Sequence, residues 1–416
     1  MRVLVIHTFY KLQGGEDHVV ANEIALLRSG GAEVELLSFS NDGNTLFKLL
    51  QIGFNYQSYQ QTRHKLKSFQ PDVVHIHNLH FSGSAAVIYA IKQADIPLVM
   101  TLHNYRLLCP SGSLYFHNQL FLSSVYSAFP WKAVKKGVYQ QSKLITFWVA
   151  LSAFFHEQLA TWNAIDRVIL LGEHSKALFS NSKLGYLSPR MVVKPNFCYP
   201  APQNRNSTAS IHHHTIDTLQ NKPDKASITQ ENKAGAPRHF LYVGRLTEEK
   251  GVKVLLDAFA DTEMPLKIAG TGPLQELVVR YASQYPNIEY LGQQSKEQIS
   301  DLLDCTAALL FPSLWYETFG MVVIEAFAMG VPVIASDLGN MKAMVTDAYN
   351  GLTFEVGNSL ELRKKAAEYW GLGPAERKVY GANALATYLE HYTPATNLVH
   401  LNKIYRDAIS KHSCHP

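Results

Sequence analysis

The sequence predicts an α/β protein built from two doubly wound, parallel-sheet domains. Three observations carry this. Short apolar runs alternate with helix-period segments through the first half, the alternation stops at a polar stretch near residue 200, and it then restarts. Strands alternating with helices imply parallel sheets covered on both faces. The length, 416 residues, exceeds what one growing hydrophobic core sustains.

In the first half, "RVLVIHTF" reads as a strand and "GGEDHVVANEIALLRSGG" as a helix with glycines at both ends. "AEVELLSF", "DVVHIHN" and "IPLVMTLHN" follow as strands, with "SGSAAVIYAIKQAD" and "DRVILLGEHSKALF" between and beyond them. This gives a first domain over residues 1–199. Residues 200–237 are rich in Asn, Ser, Thr, Gln and Pro and read as a polar linker or insert. The His212–His214 run inside it has no other ligands nearby and reads as adventitious rather than as a metal site.

The second domain, residues 238–391, restarts with the strand "HFLYVGRL" and the helix "GVKVLLDAFAD". "LKIAGTG", "IEYLG", "AALLFPS" and "VPVIASD" are its further strands, and "LQELVVRYAS" a further helix. A last amphipathic helix, within residues 392–416, is expected to pack back on the first domain. Two such domains face each other across a cleft, and open sheets bind ligands outside the carboxyl ends of their strands.

Composition narrows the class. A formal charge of +4 is mild for this length and excludes a dedicated nucleic-acid binder. Cys109, Cys198, Cys305 and Cys414 lie far apart with no CxxC pair, as in a chain kept in a reducing cytosol. "MRVLVIHTFY" has a short apolar run and no cleavage site, and reads as a first strand rather than a signal peptide. "LITFWVALSAFF" is too short to span a bilayer. The expectation is a cytoplasmic protein, soluble or resting on the inner face of the cytoplasmic membrane. Cations alternate with aromatics over residues 131–155, a pattern that fits an anionic membrane surface as well as a core helix with a basic face.

Four strand ends carry unusual chemistry. Gly14 and Gly15 sit between the first strand and helix, where backbone amides approach an anion. Arg245 and Lys250 flank a helix start after the first strand of the second domain, which suits a pyrophosphate. Gly270, Thr271 and Gly272 end another strand just before Pro273, again leaving amides for a phosphate or nucleoside. In "YETFGMVVIEAFAMG", Glu317 and Glu325 lie on an apolar segment, with Phe319, Gly320, Met321 and Val322 at a turn and helix start between them. Carboxylates accept pairs of hydroxyl donors, which sugars and ribose supply. The spacing puts Glu317 in the loop and Glu325 about two turns into the helix.

These residues resemble the family 4 (GT4) retaining glycosyltransferases, which have the GT-B fold. The second half is similar in "VGRL…EKG", "AGxGP" and "ExFGxxxxEAxAxGxPVIAS", in that order. The first half is similar in its GG turn, "PDVVHIHN", "TLHNYRLLCPSG" and "VKPNF", and residues 75–109 look like the branch acting on cell-surface polysaccharides and lipid-linked glycans. The resemblance implies that Arg245 and Lys250 bind the diphosphate of a nucleotide sugar, UDP- or GDP-linked. It implies that Glu325 holds the ribose, Glu317 the donor sugar, and the amides at Phe319, Gly320, Met321 and Val322 sugar and phosphate. Gly270, Thr271 and Gly272 would lie by the nucleoside, Gly14 and Gly15 at the diphosphate, and His103 by the reacting sugar. His103-Asn104 replaces the family's "HD", and "SDLGNMKAMV" departs from its usual loop. The chain has no DxD segment for a divalent cation, so neither metal nor cofactor is expected. The implied activity is transfer of a hexose to a glycan or lipid-linked acceptor with retention. The alternatives are a non-catalytic sugar-nucleotide scaffold and a GT-B epimerase or phosphorylase. A Rossmann oxidoreductase lacks support because no GxGxxG follows either first strand.

Overall fold

The computed structural model describes residues 1–9, 14–41, 49, 51–200 and 238–413. The polar segment from 201 to 237, with His212–His214, and Cys414 lie outside the described residues. The chain forms two compact units. The first comprises Met1–Asn196, Trp315–Phe319 and Asn397–Pro416, and the second Phe197–Leu314 and Gly320–Thr396.

The first unit holds β1 (Arg2–Phe9), α1 (Gly15–Ser29), β2 (Glu33–Ser40), α2 (Tyr56–Phe69), β3 (Val73–Asn78), α3 (Ala86–Gln93) and β4 (Leu98–Leu102). A two-stranded antiparallel hairpin follows, β5 (Tyr115–Phe116) with β6 (Gln119–Leu120). Then come α4 (Trp131–Lys136), α5 (Lys143–Gln158), β7 (Arg167–Leu170), α6 (Glu173–Ser180) and β8 (Met191–Val193). Six strands pair in the order β2-β1-β3-β4-β7-β8, all parallel. Val3, Leu4, Val5 and Ile6 are wholly buried, as a strand covered on both faces must be. Val3 and Val5 pack with Val20, Ile24 and Leu27 of α1, whereas Leu4 and Ile6 join the core of the opposite face. Leu401, Ile404, Tyr405 and Ala408 of the C-terminal helix complete the α1 side.

The second unit holds β9 (His239–Val243), α7 (Val252–Phe259), β10 (Leu266–Ala269), α8 (Gln275–Gln284), β11 (Ile288–Gly292), α9 (Lys296–Asp304) and β12 (Thr306–Phe311). It continues through α10 (Met321–Ala328), β13 (Val333–Ser336), α11 (Met341–Met344), β14 (Gly351–Phe354), α12 (Ser359–Gly371) and α13 (Pro374–His391), and α14 (Pro394–His412) begins in it. Its sheet, parallel in every pair, runs β11-β10-β9-β12-β13-β14, which is 3-2-1-4-5-6 in order of appearance. The order reverses between β9 and β12, so their carboxyl ends flank the crevice where such sheets take ligands. In the first sheet the corresponding point lies between β1 and β3.

One glycine shows how tightly that crevice is built. Gly251 caps α7 at φ +70°, and a Cβ there would stand 1.8 Å from the Pro312 carbonyl oxygen beyond β12. Both the left-handed backbone and the close approach demand glycine. Gly251→Ala is expected to destabilise the second unit by about 2 kcal/mol or more, read as a lower denaturant midpoint at unchanged slope.

Candidate active site

In the second unit the loop after β9 is short and internally bonded. Lys250 N–H donates to the Thr247 carbonyl (3.2 Å), Gly251 N–H to Glu248 (2.9 Å) and Leu314 N–H to Glu249 (2.8 Å). This fixes a 3-10 turn, Glu248–Lys250, against the end of β12. Arg245 is exposed and 3.5 Å from Glu249 Oε1, and Lys250 Nζ lies 5.9 Å from the centre of the Phe311 ring.

The glycine loop closes the same end of the sheet. Gly270 and Gly272 have φ of +139° and +158°, and a Cβ on them would fall 1.9 Å from the Gly244 oxygen and 2.5 Å from the Leu246 oxygen. Leu246 N–H donates to Thr271 (2.9 Å) and Leu274 N–H to Leu246 (2.9 Å). The glycines therefore let two loops touch backbone to backbone, a packing reason that stands beside any contact with a nucleoside.

Helix α10 starts at Met321, with Gly320 as its N-cap. Glu325 is thus its fifth residue, just over one turn in, rather than two turns. The reason is that Trp315–Phe319 belong to the first unit, so the helix begins only after them. The first amides of a helix have no carbonyl partner within it, and those of Met321 and Val322 stand at this helix start. Glu325 is half-buried, and desolvation raises its pKa against the opposing charge of Lys296. Arg245, Lys250, Gly270, Thr271, Gly272, Gly320, Met321, Val322 and Glu325 thus all belong to one unit, at or just beyond the ends of β9, β10 and β12.

The remaining candidates belong to the first unit. Glu317 is 4% exposed. Its neighbours anchor the segment: the Tyr316 ring lies 4.4 Å from that of His174, and the Thr318 hydroxyl donates to the His103 carbonyl (3.0 Å). Glu317 and His103 therefore come from adjacent pieces of one unit although 214 positions apart in sequence, and Phe319 ends the same segment.

The turn after β1 differs from the simple anion cradle expected of Gly14 and Gly15. A Cβ on either glycine would meet nothing within 4 Å, so the fold itself does not require glycine there. Yet the Gly14 N–H is already bonded to Asp17 Oδ2 (2.9 Å), and Asp17 Oδ1 lies 2.8 Å from His7 Nε2. Burial and the Asp17 charge raise Glu16 to about 8, with Arg106 opposing. Glu16 Oε1 and His7 Nδ1, 4.0 Å apart, are buried without a hydrogen bond among the described residues. A carboxyl raised this far holds more protons folded than unfolded between pH 4.5 and 8, so the Glu16 contribution to stability falls as pH rises through that window. Glu16→Gln removes the loss. Its unfolding free energy is expected to exceed that of the parent at pH 9, by on the order of 1–3 kcal/mol, and to approach it at pH 5.

Sequence reasoning missed the residues behind His103. Glu23 (α1), His75 and His77 (β3), Lys194 (after β8) and Tyr405 (α14) form one buried polar network. Lys194 Nζ donates to Glu23 Oε2 (2.9 Å) and to Asn397 Oδ1 (3.1 Å). His75 Nδ1 and His77 Nε2 each lie 3.1 Å from Glu23 Oε1, and His75 also meets Tyr405 Oη and Thr101 Oγ1, both at 2.8 Å. His77 Nδ1 lies 2.9 Å from His103 Nε2. Burial alone would raise Glu23, but the Lys194 ammonium and the two imidazoles hold it well below the carboxylate range. Burial and the neighbouring His75 lower His77 to about 4, and burial lowers His103 well below its ordinary value. A carboxylate and two imidazoles this close have the composition of a metal site, but the Lys194 ammonium already neutralises the carboxylate. The signal was in "DVVHIHN": alternate histidines on a strand otherwise apolar, hence on one buried face.

Beside His103 the first unit has a cavity of about 120 Å³. Phe81, Val149, Ala153 and Trp162 form its apolar wall, with His103 and Arg106 among its polar groups. Nearby, α4 and α5 leave Trp131, Leu144, Trp148 and Phe155 exposed among Lys132, Lys135 and Lys143. Among the described residues no helix is long and apolar enough to cross a membrane.

Two α/β units, each built on a six-stranded parallel sheet, give the chain the GT-B class of fold. The glycosyl transferases group 1 model matches residues 224–385, and the glycosyltransferase family 4 model residues 13–171. Together they cover most of the chain, which belongs to this group 1, family 4 glycosyltransferase family. It is 32% identical over 176 residues to D-rhamnosyltransferase WbpZ of Pseudomonas aeruginosa, 41% of this chain and 46% of that one. It is 29% identical over 153–158 residues to relatives that include the O-antigen chain mannosyltransferase C of Escherichia coli, 37% of this chain and 42% of that one. The chain thus spans less than half the length of these curated relatives. Among solved structures it resembles Anabaena HepE in complex with UDP, with a TM-score of 0.62 at 16% identity over 97% of this chain and 99% of that one.

Proposed function

We propose that the chain transfers a hexose from a nucleotide-sugar donor to a glycan or lipid-linked acceptor, with retention, in the building of a cell-surface polysaccharide. The observation that carries this reading is that Arg245, Lys250, the glycine loop and the start of α10 follow the carboxyl ends of β9, β10 and β12, around the point where the strand order of that sheet reverses. In this reading the two cations and the amides stabilise the departing diphosphate, the term that often dominates such catalysis. Glu325 accepts from the ribose hydroxyls and Glu317 from the sugar. The leaving phosphate takes the acceptor's proton on the same face, so neither a carboxylate nucleophile nor a metal ion is required. The relatives' printed names, a rhamnosyl- and a mannosyltransferase, and the UDP bound to HepE support a nucleotide-sugar donor.

The cavity beside His103 and the basic, aromatic face of α4 and α5 favour an acceptor with an apolar part, presented at an anionic membrane surface. Incubation with UDP-, GDP- and ADP-sugars and a panel of glycan and lipid-linked acceptors tests the reading. Acceptor-dependent release of nucleoside diphosphate is expected, with the product's anomeric configuration read by NMR. Sugar released equally without acceptor would replace transfer by an epimerase-like reaction, and no release with any pair would leave a binding scaffold. Flotation with anionic liposomes addresses the surface: Trp148→Glu is expected to stay at the bottom of a gradient in which the parent floats.

A further inference from the structure

We propose that Glu23 and His77 act as positioning residues that fix His103 as a hydrogen-bond acceptor, with its Nδ1 bare toward the reacting sugar. The inference rests on the transferase reading for its purpose, but not for its geometry.

The geometry decides between two proton arrangements. His77 Nε2 stands 3.1 Å from Glu23 Oε1, in ion-pair range though not aligned as a hydrogen bond, and His77 Nδ1 stands 2.9 Å from His103 Nε2. One of the latter two nitrogens must carry the shared proton. If it were His77 Nδ1, a neutral His77 would place an unprotonated nitrogen 3.1 Å from the Glu23 carboxylate inside a dry network, which is repulsive. Placing the proton on His77 Nε2 removes that clash. His77 Nδ1 then accepts, His103 Nε2–H donates, and a neutral His103 has its lone pair on Nδ1. That nitrogen has no hydrogen-bond partner among the described residues, and His103 lines the cavity.

Groups from the packed elements hold the members of this network in place. Lys194 and Asn397 hold the far side of Glu23, Tyr405 and Thr101 hold His75, and the His7 ring, bound to Asp17, stands edge-on 6.5 Å from His77. The His77 and His103 rings lie near parallel, 22° apart at 5.2 Å. The Thr318 hydroxyl bonds the His103 carbonyl, so the backbone beneath the ring is held as well. An acceptor-only imidazole can take a sugar hydroxyl proton in a hydrogen bond and can face growing positive charge, but it cannot act as an acid. The same pattern, an orienting carboxylate that selects an imidazole tautomer, operates in hydrolytic triads.

The test is long-range ¹⁵N–¹H NMR of histidine-labelled full-length protein, with the His103 signals assigned from a His103→Gln variant. It needs no turnover, so it separates this inference from the transferase reading. The parent is expected to show His103 protonated at Nε2 only. His77→Phe is expected to mix the tautomers and lower kcat at least tenfold with KM little changed. His77→Gln, which offers an amide oxygen to His103 and an N–H to Glu23, is expected to restore the single tautomer and most of the rate. His103 protonated at Nδ1 in the parent overturns the proposal, as does an unchanged tautomer in His77→Phe. If His77→Phe does not fold, the parent and His77→Gln spectra decide alone.

Discussion

Lys250→Ala is expected to lower sugar transfer at least ~100-fold while leaving the unfolding midpoint within about 2 °C of the parent. The split follows from how the loop is held. Its shape depends on backbone bonds, Lys250 to Thr247, Gly251 to Glu248 and Leu314 to Glu249, none of which needs the lysine side chain. Gly251 locks the turn against Pro312 whatever stands before it. The ammonium lies over the Phe311 face at the end of β12, within the unit whose strand ends also carry Arg245 and α10. On the proposed reading, removing it subtracts positive charge from the position where the leaving group's negative charge grows. Steady-state kinetics beside thermal denaturation measure both halves, and near-normal turnover would sink the leaving-group assignment.

Lys194→Ala is expected to be the most damaging single change to stability in the first unit, at about 3–5 kcal/mol. Lys194 is among the largest fully buried side chains, and its ammonium bonds Glu23 and Asn397. Truncation leaves the Glu23 carboxylate in the interior with only imidazoles beside it. Adding Glu23→Gln is expected to recover part of the loss, because no charge is then left unpaired; denaturation of both variants checks this. The network also sets an acid limit. Glu23 has a depressed pKa, so its stabilisation is present above the unfolded carboxylate range and fades as pH falls through its lowered value. His77, lowered to about 4 from 6.5, binds fewer protons folded than unfolded between those values, so its stabilisation is lost as pH falls from 6.5 toward 4. Both effects have the same sign; Glu16 opposes them down to about pH 4.5, so a Glu16→Gln background is expected to show the loss of stability below pH 6 more steeply than the parent, measured by denaturant melts across pH.

The alternation of apolar runs and helix periods made both sheets legible, because strands buried on two faces, such as Val3–Ile6 or Leu309–Phe311, carry no polar interruptions. Helix α2 was harder to read: its buried stripe is Ser58, Thr62, Leu66 and Phe69, and its first half is polar. Its hydroxyls are satisfied locally, Thr62 to Ser58 and Ser58 to Gly83, so burial leaves no hydrophobic trace. The strand-end residues of the second unit were legible as a group because loop chemistry is local: cations, glycines and a helix start follow single strands. The His103 network was not, since Glu23, His77, Lys194 and Tyr405 come from four distant segments and meet only through the sheet order. The Trp315–Phe319 segment shows the same limit. Nothing in "WYETF" announces that it leaves the second unit while the residues on both sides of it stay.

A ligand that binds only the folded state raises its melting temperature in proportion to the logarithm of its concentration over Kd. The most direct measurement is therefore a thermal-shift series of the parent and Lys250→Ala against UDP-, GDP- and ADP-sugars. The parent is expected to gain several degrees with one nucleotide class, and the variant to lose that gain. No shift with any nucleotide sugar, or an equal shift in both proteins, would contradict a donor held by the strand-end crevice of the second unit.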